Sequence, residues 1–536
     1  LGGGFGGKDG ITVQGFLALA AMHAPGRAIK LHYSREESIL AGTKRHPATI
    51  NCTLGCDRNG NFQAFDCNLT LDTGPYSALG GEVFALAMEH AGGPYRIRHS
   101  SIKGSVVYTN NPVSSAFRGF GVPQAAAGIE QAVDELAKAV GIDPLELRLR
   151  NVVMRGDVTP AGVTLTTAMG LADCLKAVRD HPLWRGRAAW AEAAPPFMGR
   201  GVGIAACFHG QGFGPAIADY ANAKVELTAQ GKIRVYSGVA DMGQGNASTC
   251  LQMASHILCQ PYEAMELITP DTAKTLPSAS SSASRTTFTY GNALTSALKS
   301  LREKMIARAC LIFSFQLLTA VAASDIMLLP RRAVHSPTGK ELSLTVLAGM
   351  MASDERTATA GYICQVAGQT PLSGANLRCH GFPHRVFSAG VQLVRLEADL
   401  LTGTVRVCDV LTCAEAGCIL NPQLAQQQIQ GAVAQGLGYA LWEEFLVQEG
   451  RIVTNNLAKY ILPTALDLPR METVFISVAE DEGPFGMKGI GEIGLDGVYP
   501  AVANAVAAIV GKRIGQGPLT AGSILAALGQ EDRAWR

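Results

Sequence analysis

The chain has 536 residues, enough for two to four domains. Its 45 Lys and Arg against 44 Asp and Glu leave a net charge of +1, without the basic excess that nucleic acid or an anionic membrane surface requires. Hydrophobic residues at 47% with charged residues at 17% point to a large interior, or to faces covered by other chains.

Glycine is abundant, 60 residues without a G-X-Y period, so the excess belongs to loops. The 13 cysteines are scattered and odd in number. Neither Cys52/Cys56 nor Cys408/Cys413/Cys418 forms a CxxC pattern, which reads as reduced core thiols in a cytoplasmic protein. No signal peptide is visible. The run Ala309–Ala323 is too short and, with Ser314, Gln316 and Thr319, too polar for a bilayer span; it is expected to be a buried helix. The chain starts on Leu1 inside a glycine-rich loop, and residues upstream are expected in the native product.

In chain order, Gly10–Ala24 predicts a helix packed on a sheet and Ala28–Tyr33 a strand. Thr49–Thr70 predicts a hairpin around Asn59-Gly60, and Ile102–Tyr108 another strand. Pro123 opens a helix with Ile129, Val133, Leu136 and Val140 on one face, stopped by Gly141, and Asp143–Asn151 adds a short one. Prolines between Gly156 and Gly201 mark a domain boundary, giving domains 1–165 and 166–536. A helix is predicted at Ala293–Ala307. Hairpins are expected around Gln230-Gly231 and Thr402-Gly403. Each is followed by a glycine-bearing loop, which hints at an internal repeat. Asn421 caps and Pro422 starts a helix to Gly436; Pro500–Val510 and Ser523–Leu528 are the last helices. Without strict βαβ alternation the fold class is α+β.

Five loops carry candidate chemistry. Gly2–Lys8 fits a phosphate-loop pattern, but Asp9 stands where Ser or Thr is needed, and no strand precedes its glycines as a dinucleotide fingerprint requires. A tight turn is the plain alternative. Ala116–Gly121 sets Arg118 between two aromatics before a helix, where it could hold an anion or serve a surface ion pair. Asp241–Gly245 offers Gln244 among glycines, for a polar ligand or a β-turn. Ser278–Thr289 is hydroxyl-rich, a cradle for a phosphate or pterin, or a linker. Lys488–Leu495 isolates Glu492 among glycines and aliphatics with only Lys488 as a nearby cation. Burial there is expected to raise its pKa and ready it as a general base; a surface turn is the alternative. Cys379, His380 and His384 form a weak metal candidate, because Gly381 and Pro383 deny them a helix.

In this order, Gly2–Asp9, Ala116–Gly121, Met242–Gly245, Ala283-Ser284, Gln428 with Gly431-Ala432, and Gly491-Glu492 resemble the molybdopterin-binding part of the xanthine dehydrogenase/aldehyde oxidase family. The resemblance runs along most of the chain and is weakest across 302–388. It implies two molybdopterin-binding subdomains with the cofactor between them. The cofactor would be molybdenum on a pterin dithiolene, possibly as the cytosine dinucleotide. The metal would sit beside the backbones of Phe5, Arg118 and Ala283 without a strong side-chain bond. Gly4, Gly6, Met242, Gln244, Ser284, Thr286 and Gln428 would hold the pterin. Phe120 and Phe213 would sandwich a flat substrate. Glu492 would take the proton from a metal-bound hydroxide whose oxygen attacks an electron-poor carbon, while hydride passes to a sulfido ligand.

Three departures bear on substrate. Asp9 stands where purine-oxidising members carry Glu, Leu86 where xanthine enzymes carry Arg, and Gly214 in place of a hydroxyl residue. They favour a less oxygenated purine or another N-heterocycle. Oxidation of aldehydes to acids is the second reading, and a cofactor-free, non-catalytic fragment the third. The resemblance also implies 2Fe-2S and FAD on absent domains or partner subunits, and allows a homodimer.

Overall fold

The structure is a computed structural model and describes residues 2–214, 217–365 and 384–529. Three sheets share one plan. In the first, Ala48–Cys56 pairs antiparallel with Phe62–Gly74; the chain crosses over through the helix Gly80–His90, and His99–Tyr108 adds parallel to Phe62–Gly74. In the second, Tyr220–Leu227 pairs antiparallel with Ile233–Tyr236, the helix Asn246–Leu258 follows, and Met265–Ile268 adds parallel. In the third, Val386–Asp399 and Val405–Glu415 form the hairpin, the helix Pro422–Leu441 follows, and Arg470–Ile476 adds parallel. Thr357–Ile363 and Met198–Gln211 close the free edges of the second and third sheets. The repeat hinted at in the sequence after Gly201 is this hairpin–helix–strand unit, and the first sheet carries it too.

The three hairpins turn where the sequence puts Gly60, Gly231 and Gly403, each at positive φ. The second sheet packs on the helix Gly291–Leu317, the third on Val498–Val510. Gly203 allows that last approach, since a Cβ there would lie 2.1 Å from the Ala501 carbonyl oxygen. The apolar stretch Ile493–Val510 is long enough to cross a membrane, but 72% of it is buried inside the protein.

Three expectations are corrected. Ala28–Tyr33 forms no strand. It has one β-branched residue, Ile29, and runs into Ser34, whose capping box with Glu37 starts the helix Arg35–Ala41. The helix expected in Gly10–Ala24 exists as Gln14–His23 but packs on no sheet and buries none of its residues; Phe16 and Met22 are 64% and 78% exposed. The two helices expected at Ala293–Ala307 and Ala309–Ala323 are one continuous helix, Gly291–Leu317. Helical periodicity buries Ile312 and Phe313 and leaves Leu311 and Phe315 in solvent. The described cysteines are free thiols. Of the metal candidate, Cys379 and His380 lie outside the described residues, and His384 binds Glu89 through both its backbone N–H and Nδ1.

Candidate active site

The glycine loops converge by backbone hydrogen bonds. Gly3 N–H donates to the Met242 carbonyl at 3.0 Å, Arg118 N–H to the Phe5 carbonyl at 2.8 Å, and Gly212 N–H to the Ala283 carbonyl at 2.9 Å. Four residues other than glycine hold positive φ where the loops meet: Phe5, Phe120, Ala283 and Ser284. Such backbone is costly and collects at ligand clamps. The loops enclose a cavity of about 600 Å³. The site residues that the resemblance implies line it, from Gly4, Phe5, Gly6 and Asp9 through Leu86, Arg118, Phe120, Phe213, Met242, Gln244, Ala283, Ser284, Thr286 and Gln428 to Glu492.

Arg118 serves no surface ion pair. Its guanidinium is buried and donates to the Gly491 carbonyl at 2.6 Å, Gln435 Oε1 at 3.1 Å and the Gln428 carbonyl at 3.0 Å. Burial brings it down to about 10, against the pull of Glu492 and Asp496. It ties the loop 116–121 to the helix Pro422–Leu441 and to the Glu492 loop. Gln244 spends its amide on its own loop: Oε1 accepts from Met242 N–H at 2.5 Å and Nε2 donates to the Ala240 carbonyl at 3.0 Å. Phe213 lies under Arg285, whose Cζ is 4.9 Å from the ring centroid. Arg285 is fully buried, paired with Asp219 at 2.6 Å, and donates to the carbonyls of Ser278 and Ser280. The hydroxyl-rich segment is therefore an ordered wall, not a linker.

The expected protonation of Glu492 is overturned. Burial pushes its carboxyl up, as expected, but His209 Nε2 lies 3.2 Å from Oε2. With Ser284 Oγ–H at 2.7 Å and Gly119 N–H at 3.0 Å it holds the group down at about 2. Lys488 is not its cation. That ammonium is buried on Glu415 at 2.9 Å and on the carbonyls of Ala168 and Phe387. Burial works against a charge on His209 as well, yet Asp496 at 2.8 Å on Nδ1 and Glu492 on Nε2 raise it to about 10. Asp9 stands exposed at the mouth, and crowding by protein atoms and then the charge of Glu492 raise its carboxyl.

Sequence reasoning missed His209, Asp496, Arg285 and the lining residue Glu82. Only Asp496 left a signal, four residues after Glu492 and so on the same helical face.

The cavity suits a flat, polar heterocycle such as a pterin. Ser281 Oγ is buried on the wall without a hydrogen-bond partner, beside Ser282, Thr286 and Thr287. Gly4 also lines the cavity; a Cβ there would meet Met242 Sδ at 2.7 Å and push that side chain aside, and without one the backbone of the loop lies open to a ligand.

Comparison with known proteins agrees. Molybdopterin cofactor-binding domain families match residues 1–152 and 177–469. The chain is 33% identical to a probable xanthine dehydrogenase subunit of Bacillus subtilis, across 98% of this chain and 68% of that protein. It is 30% identical to the aldehyde oxidoreductase of Megalodesulfovibrio gigas, across 98% of this chain and 54% of that one. Among solved structures, aldehyde oxidoreductase from Desulfovibrio gigas superposes with TM-score 0.84 at 29% identity, covering 99% of this chain and 54% of that chain. Quinoline 2-oxidoreductase from Pseudomonas putida 86 shares the fold, with TM-score 0.85 at 24% identity over 99% of this chain and 68% of the other.

Proposed function

The chain belongs to the xanthine dehydrogenase/aldehyde oxidase family of molybdenum oxidoreductases, and from that premise we propose that it is the catalytic part of a hydroxylase for a purine-like or other N-heterocyclic substrate, with oxygen drawn from water and Glu492 as general base. The observation that carries this reading is a carboxyl group, that of Glu492, fixed in the wall of a glycine-lined cavity by three donors.

When bound, the pterin-held molybdenum supplies the two-electron acceptor. The residues of the chain do the rest. The backbones of Phe5, Arg118 and Ala283 surround the reacting centre, and Gly4, Gly6, Met242, Gln244, Ser284, Thr286, Gln428 and the open hydroxyl of Ser281 hold the pterin. Phe120 and Phe213 present ring faces to a flat substrate. Glu492 accepts the proton that water gives up as its oxygen passes to the substrate carbon. Oε1 is the accepting atom, because it receives one hydrogen bond while Oε2 receives two.

The cavity also restricts the substrate. Among the described lining residues, the cations Arg118, Lys488 and His209 have their heads engaged by protein acceptors, while Asp9, Glu82 and Glu492 are carboxylates. That set favours a neutral heterocycle with N–H groups over a carboxylate-bearing one. The apolar Leu86 supports the second reading, an aldehyde, because it offers no donor to a substrate oxygen. Electrons would leave through 2Fe-2S and flavin groups on partner subunits or further domains.

Metal and pterin analysis of the purified protein tests whether the cofactor is held at all. A panel of hypoxanthine, xanthine, nicotinate and benzaldehyde separates the substrate readings, with hypoxanthine expected to lead. Glu492→Gln is expected to keep molybdenum and lose turnover by at least ~100-fold, in the range of a lost general base; wild-type turnover in that variant sinks the assignment.

A further inference from the structure

Two buried residues outside that scheme bear on the base. His209 lies near the end of the strand Met198–Gln211 and reaches between two carboxylates that one short helical turn carries four residues apart. Its Nδ1 is 2.8 Å from Asp496 Oδ2 and its Nε2 is 3.2 Å from Glu492 Oε2. His209 is 1% exposed and Asp496 fully buried. Asp496 Oδ1 has no hydrogen-bond partner and lies against Gly119, where an added Cβ would come within 2.7 Å of it. The N–H of the same Gly119 donates to Glu492 Oε1. Gly119, Glu492, His209 and Asp496 are thus one packed unit drawn from three distant parts of the chain.

We propose that His209 and Asp496 are positioning residues for Glu492: Asp496 fixes the imidazole, and the imidazole presents an N–H and a positive charge to Oε2, so that Glu492 stays ionised with Oε1 left to take the proton. This rests on the reading of Glu492 as the base. A buried ion pair of this kind is costly to desolvate and is poor evidence of a stabilising role, since apolar replacement is often neutral or better. A carboxylate that must stay charged in a dry pocket, by contrast, needs a cation that cannot leave. Of the other charges, Arg118 and Asp9 face Glu492, Arg45 faces Asp496, and His90 lies 6.0 Å from His209 between ring centroids. Arg118 is engaged by neutral acceptors, and burial keeps His90 low, at about 4, which leaves it neutral. His209 is then the one cation bonded to the Glu492 carboxylate among the described residues.

The consequence is a base whose ionisation no working pH disturbs. Replacing His209 by Gln keeps an N–H donor and removes the charge. Burial then dominates, and the acid limb of kcat is expected to move up by about 2 pH units or more, the scale burial imposes on a carboxylate. Asp496→Asn should move it the same way by a smaller step.

The test uses the molybdenum-loaded holoenzyme with its partners. It compares pH profiles of kcat for wild type, His209→Gln and Asp496→Asn, with metal content and Tm measured alongside. In a Glu492→Gln background, His209→Gln should change residual turnover less than twofold, because it acts only through Glu492. Nitrogen NMR of labelled histidine should show, at pH 8 in the wild type, an imidazole protonated at both nitrogens whose signal is lost in His209→Gln. A His209→Gln profile that superimposes on the wild type, with molybdenum retained, overturns the proposal. So does the absence of a doubly protonated histidine, a readout that survives if a variant folds poorly. Wild-type turnover in Glu492→Gln instead removes the base reading and leaves the NMR result to stand on its own.

Discussion

Asp9 sits at the mouth of a cavity whose proposed base is another carboxylate, and the two acids oppose each other. Crowding and then the charge of Glu492 raise the Asp9 carboxyl, so it gains a proton at a higher pH than an ordinary aspartate. As a hydrogen-bond acceptor for substrate N–H groups it is therefore lost early as pH falls, while Glu492, held at about 2, is still ionised. KM for heterocycles should rise on the acid side before kcat falls. Asp9→Ala should cost N–H-bearing heterocycles roughly 10-fold or more in kcat/KM, the scale of a lost hydrogen bond to a charged group, and aldehydes little. A parallel substrate series decides; equal losses remove Asp9 from substrate contact.

At the scale of elements, the Glu492 loop is fixed less by its own residues than by what stands behind it. Lys488 is fully buried and holds Glu415, whose other oxygen accepts Gly417 N–H at 2.7 Å. Gly489 packs so close to Ser284 that a Cβ would lie 1.8 Å from its carbonyl oxygen. Lys488→Met leaves Glu415 charged and unpaired in the interior, a loss of about 3–5 kcal/mol. A large drop in Tm is expected, with part of it recovered by adding Glu415→Gln. These dependencies bound what the sequence reveals. The hairpins at Asn59-Gly60 and Thr402-Gly403 and the capped helix from Pro422 were legible, because turn and cap chemistry is local. The glycine loops were legible through their order along the chain. The partner of Glu492 was not: Lys488 is near in sequence, and His209, 283 positions away, is near only in the fold. Ala28–Tyr33 failed for the opposite reason, an apolar local pattern without a sheet to join.

Across the whole molecule, Arg118 is where the early and late parts of the chain are joined. Its backbone N–H holds Phe5, its guanidinium spans Gly491, Gln428 and Gln435, and its carbonyl accepts from Arg45 at 2.7 Å. The cross-link ties together stretches of the cavity wall that come from both ends of the chain. Lysine retains the charge but has a single compact ammonium in place of the planar fork, so it cannot reach all three guanidinium partners at once. Each acceptor left without a donor in the interior costs about 1–3 kcal/mol. Arg118→Lys should therefore lower Tm and reduce molybdenum content together, because the loops proposed to hold the pterin lose their common anchor. Its effect on kcat per molybdenum should be smaller than its effect on occupancy, as Arg118 holds the wall and takes no proton. Metal analysis and thermal unfolding on the same preparations check both; an unchanged metal content with a lowered Tm would show that the cross-link supports the fold and not the cofactor cavity.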